Sequence, residues 1–329
     1  RPAFRNVMCH GVVLDHEGRK LSKKLRNYPD PEDVFETVGS DPLRWYLMAL
    51  PILRGGDLRI RTDAKDMAEV VRLVVHPIWN AFSFFCRYAN VDGYRASVRA
   101  DSTGVLDRYI LAKTSALVTS VTELMDAYDI AGACYEIQAF IDALNNWYIR
   151  RSRDRFWAPG SVDAGTLTDD KRDAYDTLYT VLVTLLEVLA PLMPMLAEEM
   201  YGGLCGEDSV HLADWPDPGL LPADTELVER MDRVRAVCST GLGLREEAGL
   251  RVRLPLATAT IAGPDAQLLG DLKELVAEEL NVKNVVLSDD ASAFGTPALR
   301  PNAKVLGPRL GGDVQAVIRA AKAGEWTPG

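Results

Sequence analysis

Five cations occupy the eight positions from Arg19 to Arg26 in the stretch "EGRKLSKKLRNYPDP" (residues 17–31). They are Arg19, Lys20, Lys23, Lys24 and Arg26, and no acidic residue falls between Gly18 and Asp30. Like charges held this close repel, and an exposed charge adds little to stability, so an anion would relieve them. A polyphosphate suits a cluster of this density; a solvated basic loop is the plainer alternative. A second concentration of functional groups lies in "NNWYIRRSRDRFWAPG" (residues 145–160), where Arg150, Arg151, Arg153 and Arg155 surround one helical end. The aromatics Trp147, Tyr148, Phe156 and Trp157 are interleaved with them. Arginine pairs with phosphates and stacks on exposed bases, which suits RNA. The aromatics equally suit the core of a bundle, and the arginines the C-terminal end of a helix dipole.

Other chemistries find little support. The histidines, His10, His16, His76 and His211, are scattered, and His10 reads as a structural residue of a strand-like run. No metal site is visible. Cys9, Cys86, Cys134, Cys205 and Cys238 form no CxxC pair, which argues against a zinc ribbon or disulfide framework and for reduced, mostly packed thiols in a cytoplasmic protein. A net charge of -10 and a pI near 5.0 exclude wholesale coating of nucleic acid while allowing a local basic surface.

These groups need elements to position them. With 329 residues and 47% apolar side chains, two or three domains are expected. "FRNVMCHGVVLDHEG" reads as two short strand-like stretches leading into the basic loop. "SDPLRWYLMALP" reads as a short helix with Ser40 or Asp41 as N-cap, Pro42 in its first turn and Pro51 as a stop. "LRGGDLRI" is a glycine turn into an extended segment. Apolar spacing then predicts long amphipathic helices over 63–90, 104–127, 130–157 and 169–190, the last with Leu178, Val181, Leu182, Leu185, Leu186 and Leu189 on one stripe. These make a helical bundle. A charged helix near 223–248, "RVRLPLATATI", a helix in "DAQLLGDLKELVAEEL" and "NVKNVVLSD" suggest a small α/β unit after it. The longest apolar run, Val181 to Met195, is interrupted by Thr184, Glu187, Pro191 and Pro194, so no membrane span is expected. No secretory signal opens the chain, and both ends are expected to be cuts from something longer.

The order "KLSKK" after a glycine turn, then "RNYPDP" and "DPLRWYLM", resembles the KMSKS signature of class I aminoacyl-tRNA synthetases in its isoleucyl form. Valyl, leucyl and methionyl relatives commonly follow the signature with "GN" rather than "NYP". Leu21 replaces Met with little change of volume, and Lys24 replaces the final Ser. "NWYIRRSRDRFW" resembles a helix of the isoleucyl anticodon-binding domain. "SVHLADWP", "AGLRVRLPL", "EELNVKNV" and "KVLGPRLG" extend the likeness from Phe4 to Trp326.

The resemblance implies a mainly α protein: the end of a class I nucleotide-binding core with the loop and stem-contact region (1–62), an anticodon-binding helical bundle (63–222), and a small α/β tRNA-binding region (223–329), truncated. It implies ATP with Mg2+ as substrate, held by Lys20, Ser22, Lys23 and Lys24, with Lys20 and Lys23 catalytic through charge stabilisation at the phosphates. One such donor is worth about 3 kcal/mol. It implies tRNA contact through Trp147, Arg150, Arg151, Arg153 and Arg155. Its partners would be isoleucine tRNA, ATP and L-isoleucine, and its state a monomer. The HIGH signature, the isoleucine pocket and the editing domain are not in this sequence, so activity is expected only of a longer protein. A valyl- or leucyl-type synthetase and a non-catalytic tRNA-binding module are the alternatives.

Overall fold

The computed structural model describes residues 3–206, 209–294, 299, 301, 302, 306 and 310–325. The chain divides into two compact units, Arg1–Glu229 and Arg230–Gly329.

The first unit opens on strand β1 (Val13–Asp15), which pairs in parallel with β2 (Leu58–Ile60). One strand therefore stands where the alternation of "FRNVMCHGVVLD" suggested two. His10 lies outside it, exposed, with its ring Nδ1 2.7 Å from the Gly11 carbonyl. Gly11 is required where it stands, because a Cβ there would lie 2.0 Å from the Gly56 oxygen. Between the strands come α1 (Pro31–Thr37), N-capped by Asp30, and α2 (Ser40–Ala49). Ser40 and Asp41 do not cap α2: Gly39, at φ 87°, is the cap residue, and both fall inside the helix. A small core of Val34, Tyr46, Ile52, Leu58, Ile60 and Met67 joins these pieces, and Leu21 of the basic loop packs on its edge.

The bundle follows. Helix α3 (Lys65–Val70) runs through a π-helical turn (Val71–Val75) into α4 (His76–Asp92). That turn immediately precedes Pro77, which has no N–H to donate to the preceding turn. Helix α5 (Val105–Asp126) is followed by α6 (Ile130–Asp142), a second π-helical turn (Ala143–Ile149) and α7 (Arg150–Trp157). Helix α8 (Asp169–Leu189) is buried on nearly every side, Tyr175, Val183 and Val188 as well as the predicted leucine stripe. It is the central helix, and α9 (Pro194–Cys205) packs beside it.

Two buried charges inside the bundle meet partners. Asp107, fully buried, accepts from the Tyr148 hydroxyl at 2.8 Å, from Ser102 at 2.7 Å and from both Nη atoms of Arg155 at 2.7 and 2.8 Å. Lys171, 2% exposed, pairs with Asp92 at 2.6 Å and donates to the carbonyl of Ala158. Taking such charges from water is costly unless they meet partners of this kind.

The loop-bearing segment is fastened to the bundle at helix ends. Asp41 accepts from the Leu196 N–H at 2.7 Å, satisfying a free donor at the start of α9. Arg44 donates to the carbonyls of Pro191 and Leu192, just past the end of α8. Arg54 forks onto Asp129, which also caps α6 through the Gly132 N–H.

The chain's division falls within α10 (Thr225–Glu247). In the second unit, β3 (Leu256–Ala262) and β4 (Val282–Ser288) pair in parallel, connected by a 3-10 segment and α11 (Lys273–Leu280). Arg245, buried, ties α10 to the carbonyls of Arg251, Leu254 and Leu280. Helix α12 (Val314–Ala323) comes last. Part of "KVLGPRLG" and of the ending "GEWTPG", Trp326 included, lies outside the described residues.

Candidate functional site

The basic loop is built on a buried carboxylate. Asp15 ends β1 and is wholly shielded. It accepts from the backbone N–H of Glu17 (3.0 Å) and Arg19 (2.8 Å), from Arg19 Nε (2.8 Å) and from Asn27 Nδ2 (2.8 Å). Burial alone would raise its pKa, but the Asn27 bond, the Arg19 backbone and side-chain bonds and the Arg19 charge outweigh it and hold the carboxyl well below the usual range. Gly18, at φ 82°, makes the turn that brings Arg19 back onto Asp15. Lys20 then bridges to Leu14.

Beyond Lys20 the chain makes a tight turn. The N–H groups of Leu25 and Arg26 both donate to the Ser22 carbonyl, at 3.1 and 3.0 Å. Arg26 takes a left-handed φ of 47°, a conformation that costs a side-chain-bearing residue but not glycine. The reversal returns Asn27 beneath the loop, where its Oδ1 accepts from the Ser22 N–H at 2.9 Å and its Nδ2 also donates to the Lys20 carbonyl at 3.2 Å.

The five cations are therefore not equivalent. Arg19 is neutralised by Asp15 and by Glu17 at 2.8 Å, acids that lie just upstream of the window in which the sequence shows none. Lys20, Lys23, Lys24 and Arg26 are exposed, and none has an ion-pair partner among the described residues. Ser22 is half-buried, with its backbone engaged in the turn. The loop thus presents Lys20, Lys23 and Lys24 to solvent from a fixed base, an arrangement that can receive a polyanion.

The arginine-rich helix is also divided. Arg150 and Arg153 are exposed. Arg150 donates to the Asn146 carbonyl, and the Arg151 guanidinium lies 5.1 Å from the Trp147 ring centroid. Two of the five residues depart from the expectation of an RNA-facing side chain. Trp147 is buried at 3% exposure, with its indole N–H unpartnered, and Arg155 is turned inward onto Asp107 and Asp170. The reason is Asp107: a buried carboxylate needs a cation, and Arg155 is in reach. Trp45 is likewise core, whereas Trp79 is largely exposed.

Sequence reasoning missed Asp15 and passed over Asn27 except as part of a motif. A lone acid closing an apolar strand before a glycine turn was the available signal for Asp15. Among the described residues no group of three or more His, Cys, Asp or Glu could hold a metal ion, and no helix is long and apolar enough to cross a membrane. Of the cysteines, Cys134 and Cys238 are buried and Cys9 is exposed.

Residues 1–60 match the family described as tRNA synthetases class I (I, L, M and V), and residues 107–261 match the anticodon-binding domain of tRNA ligase. The chain is 51% identical over 326 residues to an isoleucine–tRNA ligase of Nocardia farcinica and 51% identical over 330 residues to that of Leifsonia xyli subsp. xyli. It is 49% identical over 325 residues to that of Mycobacterium tuberculosis. Each match covers 99% of this chain but 29–30% of the relative, so the chain spans under a third of their length. A solved LeuRS–tRNA–LeuAMS complex from Agrobacterium radiobacter overlaps 67% of this chain and 24% of its own, at 22% identity and a TM-score of 0.47, a likeness too loose to carry weight. Along 99% of its length the chain is about half identical to a segment of these isoleucine–tRNA ligases, with a class I tRNA synthetase match at its start and an anticodon-binding match over its bundle.

Proposed function

We propose that this chain is the part of a cytoplasmic, monomeric isoleucine–tRNA ligase that supplies the loop for the ATP phosphates and the surface for tRNA. The carrying observation is the loop itself: Lys20, Lys23 and Lys24 stand exposed, without acidic partners among the described residues, on a base pinned by Asp15 and Asn27. In the reaction the isoleucine carboxylate attacks the α-phosphorus of ATP, bound with Mg2+, and pyrophosphate leaves. Lys23, with Lys20, stabilises the charge that develops on the departing phosphates, and Ser22 shapes the turn; Lys24 adds field strength. Transfer to tRNA follows.

The division of labour is residues 1–62 for the end of the catalytic core, 63–222 for anticodon binding and 223–329 for further tRNA contact. Within the bundle the exposed Arg150 and Arg153, with Arg151 beside them, form the RNA-facing set. Trp147 and Arg155 support that helix from within. Isoleucine rather than valine or leucine rests on the relatives' identity.

The test is isoleucine-dependent ATP–pyrophosphate exchange by the full-length protein carrying Lys23→Ala. Loss of one electrostatic donor predicts a fall of about 10²-fold or more in rate, with tRNA affinity nearly unchanged. An unchanged exchange rate refutes the assignment.

A further inference from the structure

We propose that Asn27, acting with Asp15, is the positioning residue that sets where the lysines of the phosphate loop stand; the inference rests on the phosphate-loop function proposed above. Besides the backbone bridge from Lys20 to Leu14, the loop from Lys20 to Arg26 is held at its base by two bonds from one side chain. Asn27 Oδ1 accepts from the Ser22 N–H, and its Nδ2 donates to the Lys20 carbonyl. The other Nδ2 hydrogen goes to the buried Asp15 carboxylate. Every strong hydrogen-bonding direction in which the amide has a hydrogen is thereby used. Asn27 is 8% exposed and Asp15 is wholly buried, so water does not readily replace these bonds.

The chemistry required at position 27 is specific. The side chain must accept once and donate twice, one of the donations to a carboxylate. An ionised Asp has the same shape as Asn but no donor, and it would set a second negative charge against Asp15. A group that only filled space would tolerate that exchange. Arg26, by taking its left-handed turn, is what delivers Asn27 to this place. Leu21 adds an apolar anchor, but it fixes only its own backbone and not the spacing between Lys20 and Ser22.

The experiment uses the full-length protein with Asn27→Asp, Asn27→Ala and Lys23→Ala. The first readout is independent of activity: the rate of tryptic cleavage at Lys20, Lys23, Lys24 and Arg26. Asn27→Asp is expected to speed loop cleavage by about ten-fold or more, since a buried bond to a charged group is lost, with cleavage elsewhere unchanged. The kcat of ATP–pyrophosphate exchange is expected to fall by a similar factor while tRNA affinity holds. Asn27→Ala, which adds no charge, should show the same changes to a smaller extent and serves if the Asp variant does not fold. Loop cleavage at the wild-type rate in both overturns the proposal. If Lys23→Ala leaves exchange intact while Asn27→Asp still loosens the loop, the phosphate function fails and the Asn27 strut stands.

Discussion

Replacing Arg155 by Ala separates an internal role from an RNA-facing one. Arg155 places Nη1 and Nη2 on the two oxygens of Asp107, at 2.7 and 2.8 Å, and Asp107 is fully buried while the Arg155 side chain is 19% exposed. Nearby groups answer to this pair: burial, with the Asp107 charge, pushes the Tyr148 hydroxyl well above its ordinary pKa. Removing the arginine leaves Asp107 with only the neutral donors Tyr148 and Ser102, an uncompensated buried charge that costs roughly 3–5 kcal/mol. For a body of about this size 1 kcal/mol moves Tm by roughly 2–4 °C, so the melting temperature should fall by on the order of 6–20 °C. Arg155→Met combined with Asp107→Asn should recover part of the loss, since removing both charges leaves no ionised carboxylate buried without a cation. The assay is thermal unfolding followed by circular dichroism, paired with tRNA titrations at several salt concentrations. An unchanged Tm with weaker binding and a salt slope shallower by about one would refute the internal role and make Arg155 a phosphate contact.

Glu187 on α8 is pushed up to about 7 by burial alone. Its native state therefore holds a proton that the unfolded chain releases near pH 4.5, so stability should fall as pH rises from there to about 7 and then level off. After allowance for solvent screening the loss is about 1–2 kcal/mol, and Glu187→Gln should abolish it in urea titrations at pH 5 and 8; an identical pH dependence in the variant would contradict this. At Arg26 the left-handed φ of 47° predicts that Arg26→Gly is neutral or stabilising by up to about 1 kcal/mol, whereas Arg26→Val costs about 1–3 kcal/mol. Equal urea midpoints for the two variants would show that the turn is not strained.

The long helices were legible because one face of each must be apolar. The expected 169–190 and 223–248 correspond to α8 and α10, Asp169–Leu189 and Thr225–Glu247. The 130–157 stretch is one helical run, but its π-helical turn leaves no periodic mark that a window of residue types would detect. What sequence could not show were partners distant along the chain. Asp41 looked like a local cap and instead serves Leu196, 155 positions away. Arg155 looked like one of four equivalent arginines until Asp107, 48 positions earlier, claimed it. The loop was legible as charge and as motif. Its base was not, because the polar contact between Asp15 and Asn27 depends on a left-handed turn at an arginine.

The central claim is that this chain is a tRNA-reading part of an isoleucine–tRNA ligase. Its most direct test is binding of the 329-residue chain to isoleucine tRNA and to the same tRNA with a changed anticodon, at one fixed near-physiological salt concentration. The account predicts a clear preference for the native anticodon. Equal affinity for both, from a chain whose helicity shows it folded, would contradict it and reduce the arginine-rich helix to electrostatic docking.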